Sequence, residues 1–336
     1  MARQSTTADG IANPAVRDPL PDPLLNDCIT AAVAAPSVYN TQPWLFHRRR
    51  GTIDVYADRD RQLRVIDPAG RDLFISVGAA VFNLRVALRA SGRVPELRLL
   101  PEPAAPNLLA NVAPGVSSPA TMTASALARA IPRRRSNRWP FHDMPLPGAF
   151  LAELVATAAA EGAVLSVTNH GAGRRIRELL RIADRERSED DAYRAELAAW
   201  MRPGPYRRDG IHPSTIGPRS AADALPLRDF GLLLPPGRRT VAVFEPRPTL
   251  AVLYSVDTPT GWLRAGQALQ RILLTATVRG VAVSLITHPL EIRWLRRTLQ
   301  ELGGQQAQVI VRLGYRRWPA SPSPRRSLAD VVLPNA

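Results

Sequence analysis

At 336 residues the chain is long enough for one large or two medium domains, and 45% apolar residues are ample for a packed core. Its 44 basic residues against 29 acidic ones leave a formal charge of +15, and the sequence contains no lysine, so every basic side chain is arginine. A GC-rich genome explains the choice of arginine over lysine but not the excess of charge.

That excess fits a polyanion partner or an anionic small molecule, because guanidinium holds phosphate through a planar fork. The arginines are scattered rather than gathered in blocks, so nucleic-acid binding rests on net charge alone and no such partner is expected. A single cysteine, Cys28, excludes an intramolecular disulfide and fits a reducing compartment. The five histidines (47, 142, 170, 212 and 288) are too dispersed for a metal motif, and no metal is expected. The N-terminus MARQSTTADG lacks the apolar core of a signal peptide, and no uninterrupted apolar window is long enough to span a bilayer. The expectation is a cytoplasmic protein without a membrane partner.

After a polar extension over 1–23, residues 24–35 (LLNDCITAAVAA) predict an amphipathic helix. Cys28 falls on its apolar face with Leu25, Ile29 and Ala32, which reads as a buried structural thiol. Next comes Pro-Ser-Val-Tyr-Asn-Thr-Gln-Pro-Trp (36–44), in which Pro43-Trp44 stops a turn and starts a strand. A strand-like run (53–58), a helix from Gly78 to Gly92 and an alternating run (94–100) follow. Proline makes up 32 of 336 residues, about twice the usual share, and much of it punctuates. The segment 101–123 reads as a linker, and the domain boundary is placed at 106–123.

Beyond it lie Arg134-Arg135-Ser136-Asn137-Arg138 and a second Ala-rich helix over 150–161. The irregular stretches 202–220 and 233–239 are too long for ordinary connections. A strand-like run (250–257), a helix from Gly266 to Gly280, alternating residues over 281–287 and the C-terminal Ser-Pro-Ser-Pro-Arg-Arg-Ser complete the chain. The two Ala-rich helices are offset by 126 positions and the two Gly-started helices by 188. Four matches in one order predict an internal duplication with a net insertion of 62 residues in the second half. The halves are placed at 24–105 and 124–336, with a lid-like insertion around 184–240.

These motifs resemble the FMN-dependent nitroreductase family, most closely its fused actinobacterial, Acg-like branch. Family members of the ordinary kind are homodimers with two FMN sites, each lined by both chains. Here the second half supplies ALARAIPRRRSNRWPF (126–141), the core helix 266–280 and VRLGYRRWPASPSPRRSLADVV (311–332), while the first supplies AAPSVYNTQPWLF (34–46). The resemblance implies an α+β fold with helices around antiparallel sheets, arranged as a single-chain pseudo-dimer able to associate further. With one copy of each motif, it implies one FMN site per chain.

On that resemblance, Arg134, Ser136 and Arg138 hold the FMN phosphate, with Arg325 or Arg326 approaching from the C-terminal segment. A solvated basic turn at a helix end is the plain alternative. Pro36 and Ser37 lie against the flavin ring, and Asn40 and Gln42 either contact it or fix the loop. Leu285, Ile286 and Thr287 match the strand that meets the ring edge. His288 beside them is either a proton donor or structural, and Glu291 and Asp257 read as capping or ion-pair residues. No catalytic side chain is expected, because the flavin carries the hydride chemistry. The implied activity is hydride transfer from NADH or NADPH through FMN to an electron-poor small molecule such as a nitroaromatic or quinone. Flavin storage beneath a closed lid is the alternative.

Overall fold

The computed structural model describes residues 21–49, 51–201, 204, 207–221, 225, 227–235, 240–301 and 304–334. Helix α1 (Asp22–Val33) carries an acid and a proline in its first turn, where the dipole favours the one and the missing N–H of the other costs nothing. It buries Leu25, Cys28, Ile29, Ala32 and Val33. Burial, then the neighbouring Asp27, pushes the Cys28 thiol up to about 12, as suits a packed rather than reactive sulfur. Strands β1 (Trp44–Arg49) and β2 (Thr52–Ala57), helix α2 (Arg71–Ala90), and strands β3 (Arg93–Leu99) and β4 (Leu108–Ser117) complete the first half. Its sheet is antiparallel, in the order β1-β2-β4-β3.

The second half starts with α3 (Met122–Ala130), α4 (Gly148–Ala159) and β5 (Val164–Val167). Helices α5 (His170–Glu189) and α6 (Asp191–Met201) and the short parallel pair β6 (Arg219–Ser220) and β7 (Val241–Ala242) come next. Strand β8 (Thr249–Ser255), helix α7 (Pro259–Val278), β9 (Ala282–Ile286), α8 (Arg293–Gln300), β10 (Gln306–Gly314) and α9 (Leu328–Val331) follow. The second sheet runs β5-β8-β10-β9, so each half orders its strands first, second, fourth, third.

Helices α2 and α7 cross between the sheets. A Cβ on Gly78 would lie 2.3 Å from the Leu263 carbonyl oxygen, and one on Gly266 would lie 2.0 Å from that of Ile75. Gly78 and Gly266, like Ile75 and Leu263, are 188 positions apart, so the contact repeats itself across the crossing. Only hydrogen fits on either Cα there. By length and mean hydropathy (1.5) α2 could cross a membrane, which qualifies the sequence expectation; 78% of that window is buried in the protein, as a core helix requires.

Two expectations about domain limits need correction. The 106–123 linker contains β4, which pairs with both β2 and β3 and buries Leu108, Leu109, Ala110 and Val112. Its Pro114 and Gly115, which read as linker punctuation, sit beside a register shift where a bulge tolerates both. The insertion is also longer than 184–240. Two residues join β1 to β2, whereas the counterpart strands β5 and β8 are separated by 168–248, a stretch that already includes α5.

Candidate functional site

The loop after α1 is locally strained. Of the four non-glycine residues with positive φ among those described, Tyr39 (52°), Asn40 (55°) and Gln42 (51°) all lie within the 36–44 motif. Such conformations cost free energy and persist where the surroundings impose them. Here the imposition comes from three chain segments. Gln42 donates to the Arg208 carbonyl (2.8 Å) and accepts from the Arg326 N–H (2.8 Å). Asn40 donates to the Pro324 carbonyl (3.1 Å) and accepts from Arg325 Nη1 (3.0 Å). The Gln42 N–H donates to Ser37 Oγ (2.9 Å).

The second motif is anchored within its own half, the second. Its Asn137 N–H donates to the Val283 carbonyl (2.7 Å) and its side chain to that of Trp318 (3.0 Å). Just beyond, Arg312 donates to the Trp139 carbonyl and pairs with Glu245, both side chains fully buried. The Arg134–Arg138 turn is thereby held against β9 and β10, opposite the 36–44 loop.

Between the two motifs lies a cleft of about 230 Å³. Pro36, Ser37, Asn40, Arg134, Ser136, Arg138 and Arg325 all line it, together with Arg135. None of its described lining residues is acidic. Arg134 is 5% exposed, and among the described residues its Nε and Nη1 have no hydrogen-bond partner, nor does Arg325 Nε. Burial, then Arg325 and Arg135 nearby, pulls Arg134 down to about 9. Burial, then Arg135, pulls Arg325 down to about 10. A buried, unpaired cation is expensive, and an anion seated here would satisfy both the charge and the free N–H groups.

A second cavity of about 80 Å³ adjoins the first and shares Pro36, Ser37, Tyr39, Ser136 and Arg138 with it. Its walls include Asp72, Ile75, Ser76 and Ala79 from α2, Leu269 from α7, Leu285 in β9 and Thr287 just after it. An apolar slot opening onto a basic cleft suits a flat ring with an anionic tail. Both halves of the chain contribute to it.

The insertion roofs this slot. Arg228 donates to Tyr39 Oη (2.7 Å), Thr287 Oγ1 (2.9 Å) and the Glu291 carboxylate, while Phe230 stands edge-on to Tyr39 at 5.9 Å. Arg138 lies over the Phe230 ring (4.5 Å) and donates to the Thr215 carbonyl (2.8 Å).

Most of the expected site residues converge, with three exceptions. Ile286 points away, because alternate strand residues face opposite sides, and it is buried beneath α5. Gln42 is fully buried and fixes the loop rather than lining the cavity. Of the two C-terminal arginines only Arg325 lines the cleft; Arg326 instead pairs with Asp58 (3.3 Å). His288 is buried away from both cavities, and burial, then Arg228, drives its pKa well below the usual value. It is therefore neutral and structural. Glu291 and Asp257 are ion-paired, with Arg228 and Arg296 respectively.

Sequence reasoning missed Tyr39, Asp72, Ser76, Arg228 and Phe230. The pair Asp72 and Ser76 lies on one helical ridge with Ala79, a spacing visible in the sequence. Arg228 and Phe230 sit in irregular chain that carries no periodic signal.

The fold and site define an α+β protein whose two similar halves close around one basic cleft and its adjoining slot. No family model matches the chain. The Mycobacterium tuberculosis protein named "Putative NAD(P)H nitroreductase Rv3131" is 33% identical over 342 residues, covering 98% of this chain and 96% of that protein. The similarly named acg of the same organism is 29% identical over 316 residues, covering 92% and 95%. Among solved structures, the FMN-dependent nitroreductase NfnB of Mycobacterium smegmatis, in complex with NADPH, is 18% identical with a TM-score of 0.36, covering 64% of this chain and 95% of that one. This chain belongs to the nitroreductase family.

Proposed function

We propose that the chain binds one FMN and acts as an oxidoreductase, passing hydride from NADH or NADPH to an electron-poor small molecule such as a nitroaromatic or quinone. One observation carries the cofactor assignment: the buried Arg134 guanidinium, with two unpartnered nitrogens, stands beside Arg325 in a cleft without a carboxylate. The FMN phosphate brings close to two negative charges and several acceptor oxygens. Arg134, Arg325 and Ser136 would hold it, and Pro36, Leu285 and Ala79 would flank the ring. Bound there, the flavin supplies the two-electron chemistry. The protein's part is to orient it, exclude water and balance its charge.

A second reading, storage of flavin beneath a closed lid, draws on the roof over the slot. Arg228 ties the insertion to Tyr39, Thr287 and Glu291, and the Gly210 N–H donates to the Asn40 carbonyl (3.2 Å). Anaerobic mixing of the FMN-loaded protein with NADH or NADPH separates the two. Bleaching of the yellow colour is the expected result; resistance to reduction assigns storage instead. A colourless protein that takes up no added FMN refutes both. The Arg174→Ala variant, altered on the exposed face of α5, should retain FMN like the unaltered chain.

A further inference from the structure

Behind the roof lies a third cavity, of about 390 Å³, which the flavin reading leaves without a role. Arg138, Arg181, Arg185, Arg219 and Arg228 line it. The carboxylates on its walls, Asp184 and Asp229, both have partners of their own. Five guanidinium groups therefore face two engaged acids.

These five differ in how they are held. Arg228 is committed to Glu291, and Arg181 pairs with Glu178 on the same helix (2.5 Å). Arg185 and Arg219 stand on the exposed rim with no carboxylate partner among the described residues. Among the described residues Arg138 contacts the Thr215 carbonyl and the Phe230 ring, and burial, then Arg228, pulls it down to about 10. The Ser220 hydroxyl, also on the wall, is buried without a partner. The opposite wall is apolar, with Leu225 and Phe244 both buried.

The position of the cavity matters as much as its lining. Arg138 and Arg228 also line the slot, and the Phe230 ring between them forms the partition. Gly217 keeps that wall thin, because a Cβ there would lie 2.6 Å from Arg138 Cβ. An apolar wall facing a cationic rim, one side chain away from the slot, suits an organic anion whose other end reaches the redox centre.

We infer that this cavity is the subsite for the anionic group, a phosphate or carboxylate, of the compound that exchanges electrons at the slot. The inference rests on the flavin reading for the word "exchanges", but the anion site can be tested without it. Two sources share this chemistry: the ribose phosphate of NADPH, and the carboxylate of an aromatic acceptor.

The test is calorimetric titration of the FMN-supplemented full chain with adenosine 2′,5′-bisphosphate and, separately, with 4-nitrobenzoate. Added FMN blocks the Arg134 cleft, and FMN uptake is measured in parallel. At least one anion should bind, and the Arg185→Ala/Arg219→Ala double variant should bind it at least tenfold more weakly while keeping FMN uptake and melting temperature. The Arg185→Lys/Arg219→Lys variant should recover most of the affinity. Loss of bisphosphate binding assigns the subsite to the nicotinamide donor, and loss of nitrobenzoate binding to the acceptor. Absence of binding to the unaltered chain, or equal affinity in the double alanine variant, overturns the inference. Failure of FMN uptake with the anion result intact would instead strike the flavin reading alone.

Discussion

The cleft beside Arg134 has a counterpart elsewhere in the molecule, and the two were built from the same fold with opposite treatment of charge. Shifting by the repeat offsets, Ala35 and Pro36 become Glu161 and Gly162, while Ser76 and Ala79 on α2 become Arg264 and Gln267 on α7. Where Ala79 leaves room in the slot, Gln267 is buried and accepts from Arg85 (2.6 Å). Glu161 accepts from Arg85 (2.6 Å) and Arg271 (3.0 Å), and the Arg264 stem lies 3.4 Å from where a Gly162 Cβ would be. At the counterpart the Glu161 carboxylate is engaged by two arginines of the protein itself. At the Arg134 cleft the cations have no carboxylate partner among the described residues. In two halves that share one strand order, buried cations without a carboxylate partner among the described residues distinguish the Arg134 cleft from its counterpart.

The comparison can be broken at its root by Gly266→Ala. The added methyl meets the Ile75 carbonyl at the crossing of the halves, and overpacking against backbone should cost more than about 3 kcal/mol. A melting temperature within a few degrees of the unaltered chain would show that the crossing is not tightly fixed. Next in size, Arg134→Ala removes charge-assisted hydrogen bonds worth roughly 1.5–3 kcal/mol, so FMN affinity by fluorescence titration should fall about 10- to 100-fold. Arg85→Ala at the counterpart should leave it unchanged. Equal losses would erase the distinction between the two regions.

A pH effect should separate Asp67 from its counterpart in the repeat. Burial, then Asp72 nearby, raises Asp67 to about 7 from an ordinary 3.8, whereas its counterpart is Ser255. Because the folded pKa is the higher one, this contribution to stability is complete below about pH 4 and is lost as pH rises through 7. Asp67→Asn should flatten that decline by about 1–2 kcal/mol in melting curves across pH 4–8, since the Leu73 N–H still finds an acceptor. An unchanged slope would place the titration elsewhere. The smallest effect is expected from Glu161→Ala. Its partners are 27% and 32% exposed, so unpairing them should cost only about 1 kcal/mol. FMN stoichiometry should remain one per chain, and a second equivalent would mean that Glu161 alone had closed the counterpart.

The sequence carried much of this by itself. Periodicity placed α1, α2, α4 and α7, and strand alternation placed β2, β3, β8 and β9, because burial on one face imposes 3.6- and 2-residue repeats that survive in the residue order. The paired glycines at 78 and 266 marked both core helices, but as mid-helix crossing points rather than starts, since α2 begins at Arg71 and α7 at Pro259. The motifs at 36–44 and 134–138 named the two walls of the cleft almost a hundred residues apart.

What the sequence could not settle depended on which groups meet. Strand β4 was hidden by Pro114 and Gly115, which read as a linker until a bulge explains them. The choice of Arg325 over Arg326, and of Leu285 over Ile286, turns on side-chain direction, which only packing fixes. That Arg134 lacks a partner while Glu161 has two is a fact about three-dimensional pairing. Local order determined the elements and the candidate residues; tertiary structure decided which charges found carboxylate partners and which did not.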